Sequence, residues 1–164
     1  MLIVHPTKKL LDRLRRTLDP HATGTTPLGD WYATVLFWKP QVALFVNEQT
    51  LLPVLVPLAP ATTLLDRFPD VLRDVLQAQE TPRWFVDAEL GEMGECKVAK
   101  ASNRSVIGSM NEFSALAGIH HQAAPDDGLL ALSLKLSEVP CGPLYKRHVT
   151  PRDELREFVR EWNR

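Results

Sequence analysis

Trp31-Tyr-Ala-Thr-Val-Leu-Phe-Trp38, Lys39-Pro40, Gln41-Val-Ala-Leu-Phe-Val46, Asn47-Glu-Gln49 and Thr50-Leu-Leu-Pro-Val-Leu-Val56 follow one another without a break, and their reading decides the fold. The longer pieces are rich in aromatic and β-branched residues, and the short ones between them are turn signals. They predict three strands joined by short connections, an antiparallel meander. Pro53 and Pro57 cannot donate to a ladder, so the third strand belongs at a sheet edge or is very short. Near-continuous hydrophobicity, rather than strict alternation, requires helices over at least one face.

Outward from the meander, the period changes. From Thr62 the apolar residues Leu65, Phe68, Leu72, Val75 and Leu76 recur as on a helix. Pro69 argues for a short turn followed by a helix from about Pro69 to Gln79. Trp84 to Gly91 predicts a short helix carrying Glu89. Upstream, Leu2-Ile-Val4 predicts a strand, and Thr7 caps a helix to about Leu18 with Leu10, Leu11, Leu14 and Leu18 inward. Asp19 to Gly29 is a polar link, a connection with the composition of a lid. Leu129 to Val139 fits both periods; its Leu, Ala and Lys content selects helix. Leu144 to Val149 predicts a last strand. Thr150-Pro151-Arg152-Asp153 starts a final helix, with cap, proline at the first position and an early acid, and with Leu155, Phe158, Val159 and Trp162 as its buried stripe. The expectation is α+β: a small, mainly antiparallel sheet (a three-stranded meander plus additional strands) covered by several helices, one domain over residues 1–164.

Cys96 to Ala117 is where residue types depart from what packing needs. Lys97 to Ala101 suits a short strand, Ser102-Asn103-Arg104-Ser105 a polar turn, and Val106, Met110, Phe113, Ala117 and His120 one stripe of an amphipathic helix. Ser105 is the expected cap; Ser109-Met-Asn-Glu112 is a competing capping box. A helix N-terminus carries unpaired N–H groups and partial positive charge, so it can hold an anion. Lys100, Asn103, Arg104, Ser105, Ser109 and Asn111 are the candidate anion-binding residues. Capping alone explains Ser and Asn there; Arg104 is what capping leaves unexplained.

Asn103-Arg-Ser-Val-Ile-Gly-Ser-Met-Asn-Glu-Phe113 also resembles the signature of a family of small bacterial proteins described only as a domain of unknown function. Thr7-Lys-Lys-Leu-Leu11, Leu28-Gly-Asp-Trp-Tyr-Ala33, Leu44-Phe-Val-Asn-Glu48 and Leu52-Pro-Val-Leu-Val-Pro57 match in order, so the likeness spans most of the chain. The resemblance implies a compact α+β domain and brings no activity.

Composition narrows the function classes. Apolar content of 45%, charged content of 24% and a formal charge of −1 are those of a soluble globular protein with no global field toward nucleic acid or membrane. The charge is uneven: Lys8, Lys9, Arg13, Arg15 and Arg16 crowd the start, and acids crowd residues 66–95. The longest apolar run, Leu51 to Ala61, is broken by prolines and falls short of the about 20 residues that span a bilayer. Two cysteines, Cys96 and Cys141, are too few for a disulfide framework and read as reduced thiols of a cytoplasmic protein.

No spacing predicts a metal site or a cofactor. His120 and His121 are adjacent, which turns them about 100° apart on a helix. Gly91-Glu-Met-Gly94 lacks the lysine of a phosphate loop. Three functional readings follow. The leading one is a non-catalytic binding or regulatory module, with the Asn103–Ser109 turn facing a protein or a phosphate-containing ligand. A nucleic-acid or nucleotide binder comes second, using the basic first helix. A hydrolase-type enzyme comes third, with its acid or base among Glu89, Glu92 and His120.

Overall fold

The computed structural model describes residues 1–164. In chain order the elements are β1 (Leu2–Pro6), α1 (Lys8–Leu14), β2 (Trp31–Leu36), β3 (Val42–Asn47), β4 (Pro53–Pro57), α2 (Leu64–Ala78), α3 (Arg83–Gly91), β5 (Cys96–Val98), α4 (Arg104–Ala123), α5 (Leu129–Leu136) and α6 (Pro151–Trp162). The strands form one sheet in the order β4-β3-β2-β1-β5. β2, β3 and β4 make the expected antiparallel meander, with β4 and its prolines at the edge. β1 adds in parallel to β2 through α1, and β5 adds in parallel to the far side of β1. The fold is α+β.

Alternation along the strands sends side chains to two cores. Leu2, Val4, Trp31, Ala33, Val35, Phe45 and Val54 face α1, α2, α3 and α6 in a cluster of 26 buried residues. Tyr32, Leu36, Leu44, Val46 and Leu55 face α4 and α5 in a cluster of 15. Asn47 closes the β3–β4 turn from within: its Oδ1 accepts from the N–H of Gln49 and of Thr50, and its Nδ2 donates to the Leu28 carbonyl. That network holds Leu51 at a φ of 59°.

Several local expectations change. α1 stops at Leu14 rather than Leu18, because Arg15 enters the left-handed region at φ 53°. Pro69 lies inside a continuous α2, not at its start. Burial of Leu64, Leu65 and Phe68 on the preceding turns outweighs the one backbone hydrogen bond that proline removes. Arg67 supports the same segment by donating to the carbonyls of Pro57, Leu58 and Pro60. Leu144 to Val149 is not a strand: a short 3-10 turn over Gly142–Leu144 is followed by further turns, closed by the Val149 N–H on the Leu144 carbonyl. Residues 129–136 are helical, and Thr150 caps α6 by accepting from the Asp153 N–H. Trp162 is 52% exposed rather than buried, because α6 ends beyond the edge of the core.

Candidate functional site

β1 and β5 are neighbouring parallel strands whose chains leave in opposite directions. β1 feeds α1 on one face of the sheet, and β5 feeds α4 on the other. Such a divergence opens a crevice at the carboxyl ends of the two strands, the usual place for ligands in sheets with parallel strands. A crevice of about 350 Å³ lies there. Its walls are Thr7 and Lys8 from the start of α1, Lys100 and Ala101 from the approach to α4, and Ile107 from the first turn of α4, over an apolar floor that includes Leu11. Lys8 and Lys100 are exposed, and neither has a carboxylate within salt-bridge distance.

The wall carrying Lys100 is pinned from beneath by His5, on the α4 side of β1. His5 Nδ1 donates to the Lys100 carbonyl at 2.7 Å, and Nε2 meets Asp30 Oδ2 at 2.8 Å. A neutral imidazole has one N–H and cannot donate to both acceptors; the imidazolium can. Burial opposes that charge. The Asp30 hydrogen bond, the Lys100 carbonyl and the negative charges of Asp30 and Glu48 together outweigh it and raise the His5 pKa above 6.5. The ring also stacks on Tyr32, with centroids 4.6 Å apart. Tyr32, paired with His5 in the β1–β2 register, accepts from the Asn103 N–H through its phenolic oxygen at 3.0 Å. Two residues of the sheet thus fix both ends of the Lys100–Asn103 segment.

The link before β2 closes over the same face. Asp19 donates its N–H to the Val98 carbonyl and pairs with Lys97 at 3.2 Å, and the Thr25 N–H donates to the Met1 carbonyl. Gly24 approaches so closely that a Cβ there would come within 2.7 Å of Asp30 Oδ1. The lid-like composition of residues 19–29 therefore belongs to a pinned connection that positions Asp30.

The six candidate residues do not converge on one pocket. Asn103, not Ser105 or Ser109, caps α4: its side-chain oxygen accepts from the N–H of Ser105 and of Val106. Asn103 wins because its backbone is extended while Ser105 is already helical. Arg104 and Ser105 are exposed on the first turn of α4, outside the crevice lining, and Arg104 has no hydrogen-bond or ion-pair partner. Ser109 is buried at 4% exposure. Asn111 is exposed but about 10 Å further along the helix axis, from seven residues of rise. Lys100 is the member that lines the crevice. His5, Asp30 and Tyr32 were missed as a group, because the β1–β2 pairing that sets His5 beside Tyr32 and Asp30 is written in neither stretch alone.

The acid–base candidates are dispersed. Glu89 is fully buried among the α3 side of the core, where it accepts from the Leu28 N–H, whereas His120 lies on α4 across the sheet. Burial pushes Glu89 up to about 7 despite that hydrogen bond. Burial likewise pushes both thiols, Cys96 and Cys141, up to about 11, so neither is a thiolate at neutral pH. No three metal-ligating side chains cluster, and no helix is long and apolar enough to cross a membrane.

Comparison with known proteins adds a family and no activity. No curated protein and no solved structure matches the chain. A family model covers residues 3–154, from β1 through the first turn of α6 and including every residue of the crevice and its clamp; the chain belongs to the family described as Domain of unknown function (DUF6933).

Proposed function

We propose that the protein is a non-catalytic binding or regulatory module, acting in the cytoplasm, that accepts an anionic group at the crevice between α1 and α4. The observation that carries this reading is the divergence of α1 and α4 from adjacent parallel strands, with Lys8 and Lys100 unpaired on the crevice walls. The first turn of α4 supports it, since unpartnered Arg104 and the Ser105 hydroxyl stand on the adjoining surface. The work of His5, Asp30, Tyr32 and Asn103 is positional: they hold the lysine-bearing wall in place. With both imidazole nitrogens engaged, His5 has no free lone pair to act as a base.

The anion is a phosphate or carboxylate presented by a protein or by a small ligand. Titration of the full chain with inorganic phosphate, followed by amide NMR, tests the site. Shifts should centre on Lys8, Lys100 and Ser105, and the Lys100→Ala, Arg104→Ala double variant should lose them. Shifts that survive in that variant would reject the reading.

A second reading has its own observation: Lys8, Lys9, Arg13, Arg15 and Arg16 are exposed on or just after α1, beside the crevice. These would extend an anion site along a nucleic-acid backbone. Affinity for single-stranded or duplex DNA that falls steeply with salt, and whose salt slope is reduced by Arg104→Ala, would select this alternative.

A further inference from the structure

A second concavity, which shares no lining residue with the crevice, lies where the α2–α3 turn meets α6. Its volume is about 420 Å³, larger than the crevice. One wall is Thr81 and Trp84, at the turn and the first turn of α3. The other is Arg156 and Arg160 from successive turns of α6, with Asn163 just past its end.

The α6 arginines are not equivalent. Arg152 pairs with Glu138, and Arg160 with Glu157 at 2.9 Å. Arg156, between them and facing the cleft, has neither an ion-pair nor a hydrogen-bond partner. The Thr81 hydroxyl and the Asn163 amide are likewise free of protein partners across the same space. A guanidinium with unused parallel N–H groups matches a carboxylate in a two-point contact. Glu80 at the rim is the one opposing charge in the lining.

Opposite the arginines stands an aromatic surface. Trp84 is 44% exposed, yet its ring meets the buried Phe85 edge to face at 5.8 Å, and Phe85 in turn packs against Phe158 and Trp162 of α6. The indole is therefore a supported wall. A large, fixed, half-exposed ring beside an unpaired guanidinium has an unused apolar face and an unused charge in one concavity.

We propose that this cleft is a binding site for a small carboxylate bearing an aromatic ring, with the carboxylate on Arg156 and the ring against Trp84. The site is independent of the crevice between α1 and α4, and its occupancy does not require the anion reading of that crevice.

The test is a titration of the full chain, followed by ¹H–¹⁵N NMR, with three separate probes: sodium phenylacetate, sodium acetate and 2-phenylethanol. Phenylacetate should shift the Thr81 amide, the Trp84 indole N–H and the Asn163 side-chain amide. Acetate, lacking the ring, and phenylethanol, lacking the charge, should each bind about tenfold more weakly or worse. Arg156→Gln is at an exposed position and should keep the spectrum of the folded chain while weakening phenylacetate by about tenfold. Lys146→Gln, at an exposed position in the lining of neither concavity, should leave phenylacetate binding unchanged. The proposal is overturned if phenylacetate leaves Thr81, Trp84 and Asn163 unshifted into the millimolar range, whatever it does at the α1–α4 crevice, if acetate or 2-phenylethanol shifts those three groups as strongly as phenylacetate does, or if Arg156→Gln binds like the parent.

Discussion

The two faces of the sheet are built to different degrees of completion. The face under α1, α2, α3 and α6 is packed along all five strands, from Val54 and Val56 on β4 to Val98 on β5. The face under α4 and α5 is packed only across β2, β3 and β4. Over β1 it carries Ile3 and His5, roofed by the 19–30 link and the Lys100–Asn103 segment instead of a helix. A helix buries apolar surface, whereas a loop brings backbone carbonyls and amides that need partners. The polar groups of the second face, His5, Asp30 and the Tyr32 hydroxyl, stand where the helical cover ends.

The first face should respond most to loss of volume. Phe68 stacks on Phe45 at 4.2 Å and meets Trp31 edge-on, so Phe68→Ala should cost about 4 kcal/mol in urea denaturation. The equivalent truncation on the second face, Phe113→Ala, should cost about 3 kcal/mol. A reversed order would break the comparison.

Each face also holds one titratable group that prefers its proton, for opposite reasons. Glu89 is neutral when protonated, and burial on the first face favours that form up to about pH 7 against an ordinary value of 4.5. The folded chain therefore binds this proton more tightly than the unfolded chain, and stability falls as pH rises from 4.5 to about 7. Glu89→Gln should flatten that fall and, above pH 7, exceed the parent by up to about 3 kcal/mol. Unchanged pH dependence of thermal unfolding would show that Glu89 is not its source.

His5 is charged when protonated, and its contribution is fully present below pH 6.5 and lost as pH rises through its higher folded value. His5→Ala should cost about 2 kcal/mol below pH 6.5 and progressively less above it. Imidazole ¹⁵N shifts that report a neutral ring at pH 6 would remove the clamp. Smaller effects belong to the edge of the second face. Asn103→Ala should lose about 1 kcal/mol through the α4 cap, read by thermal unfolding. Arg104→Ala should change stability by less than about 0.5 kcal/mol, and its effect should appear in anion binding alone.

Much of this architecture was legible because it depends on neighbours in sequence. Near-continuous aromatic and β-branched runs with short turns specified β2, β3 and β4, and the prolines of β4 placed it at an edge. Thr150-Pro151 marked the start of α6 to the residue, since a cap and its first turn are local. Local reading failed where a distant packing term competed. Pro69 is tolerated within α2 because the residues before it are buried, and Trp162 is exposed because α6 outruns the core. At the α4 start, the choice among Asn103, Ser105 and Ser109 turned on one residue's backbone angles.

By itself, the sequence determined the meander strands, most of the helices, the α+β class and the family, all of which follow from short-range periodicity or from residue identity, but not the turns at Leu144 to Val149, which it mistook for a strand. Only the tertiary structure decided what stands around the candidate site. His5 reaches Asp30 across 25 residues and Lys100 across 95. Strand pairing, which brings β1 between β2 and β5, sets those meetings, and no local pattern encodes them.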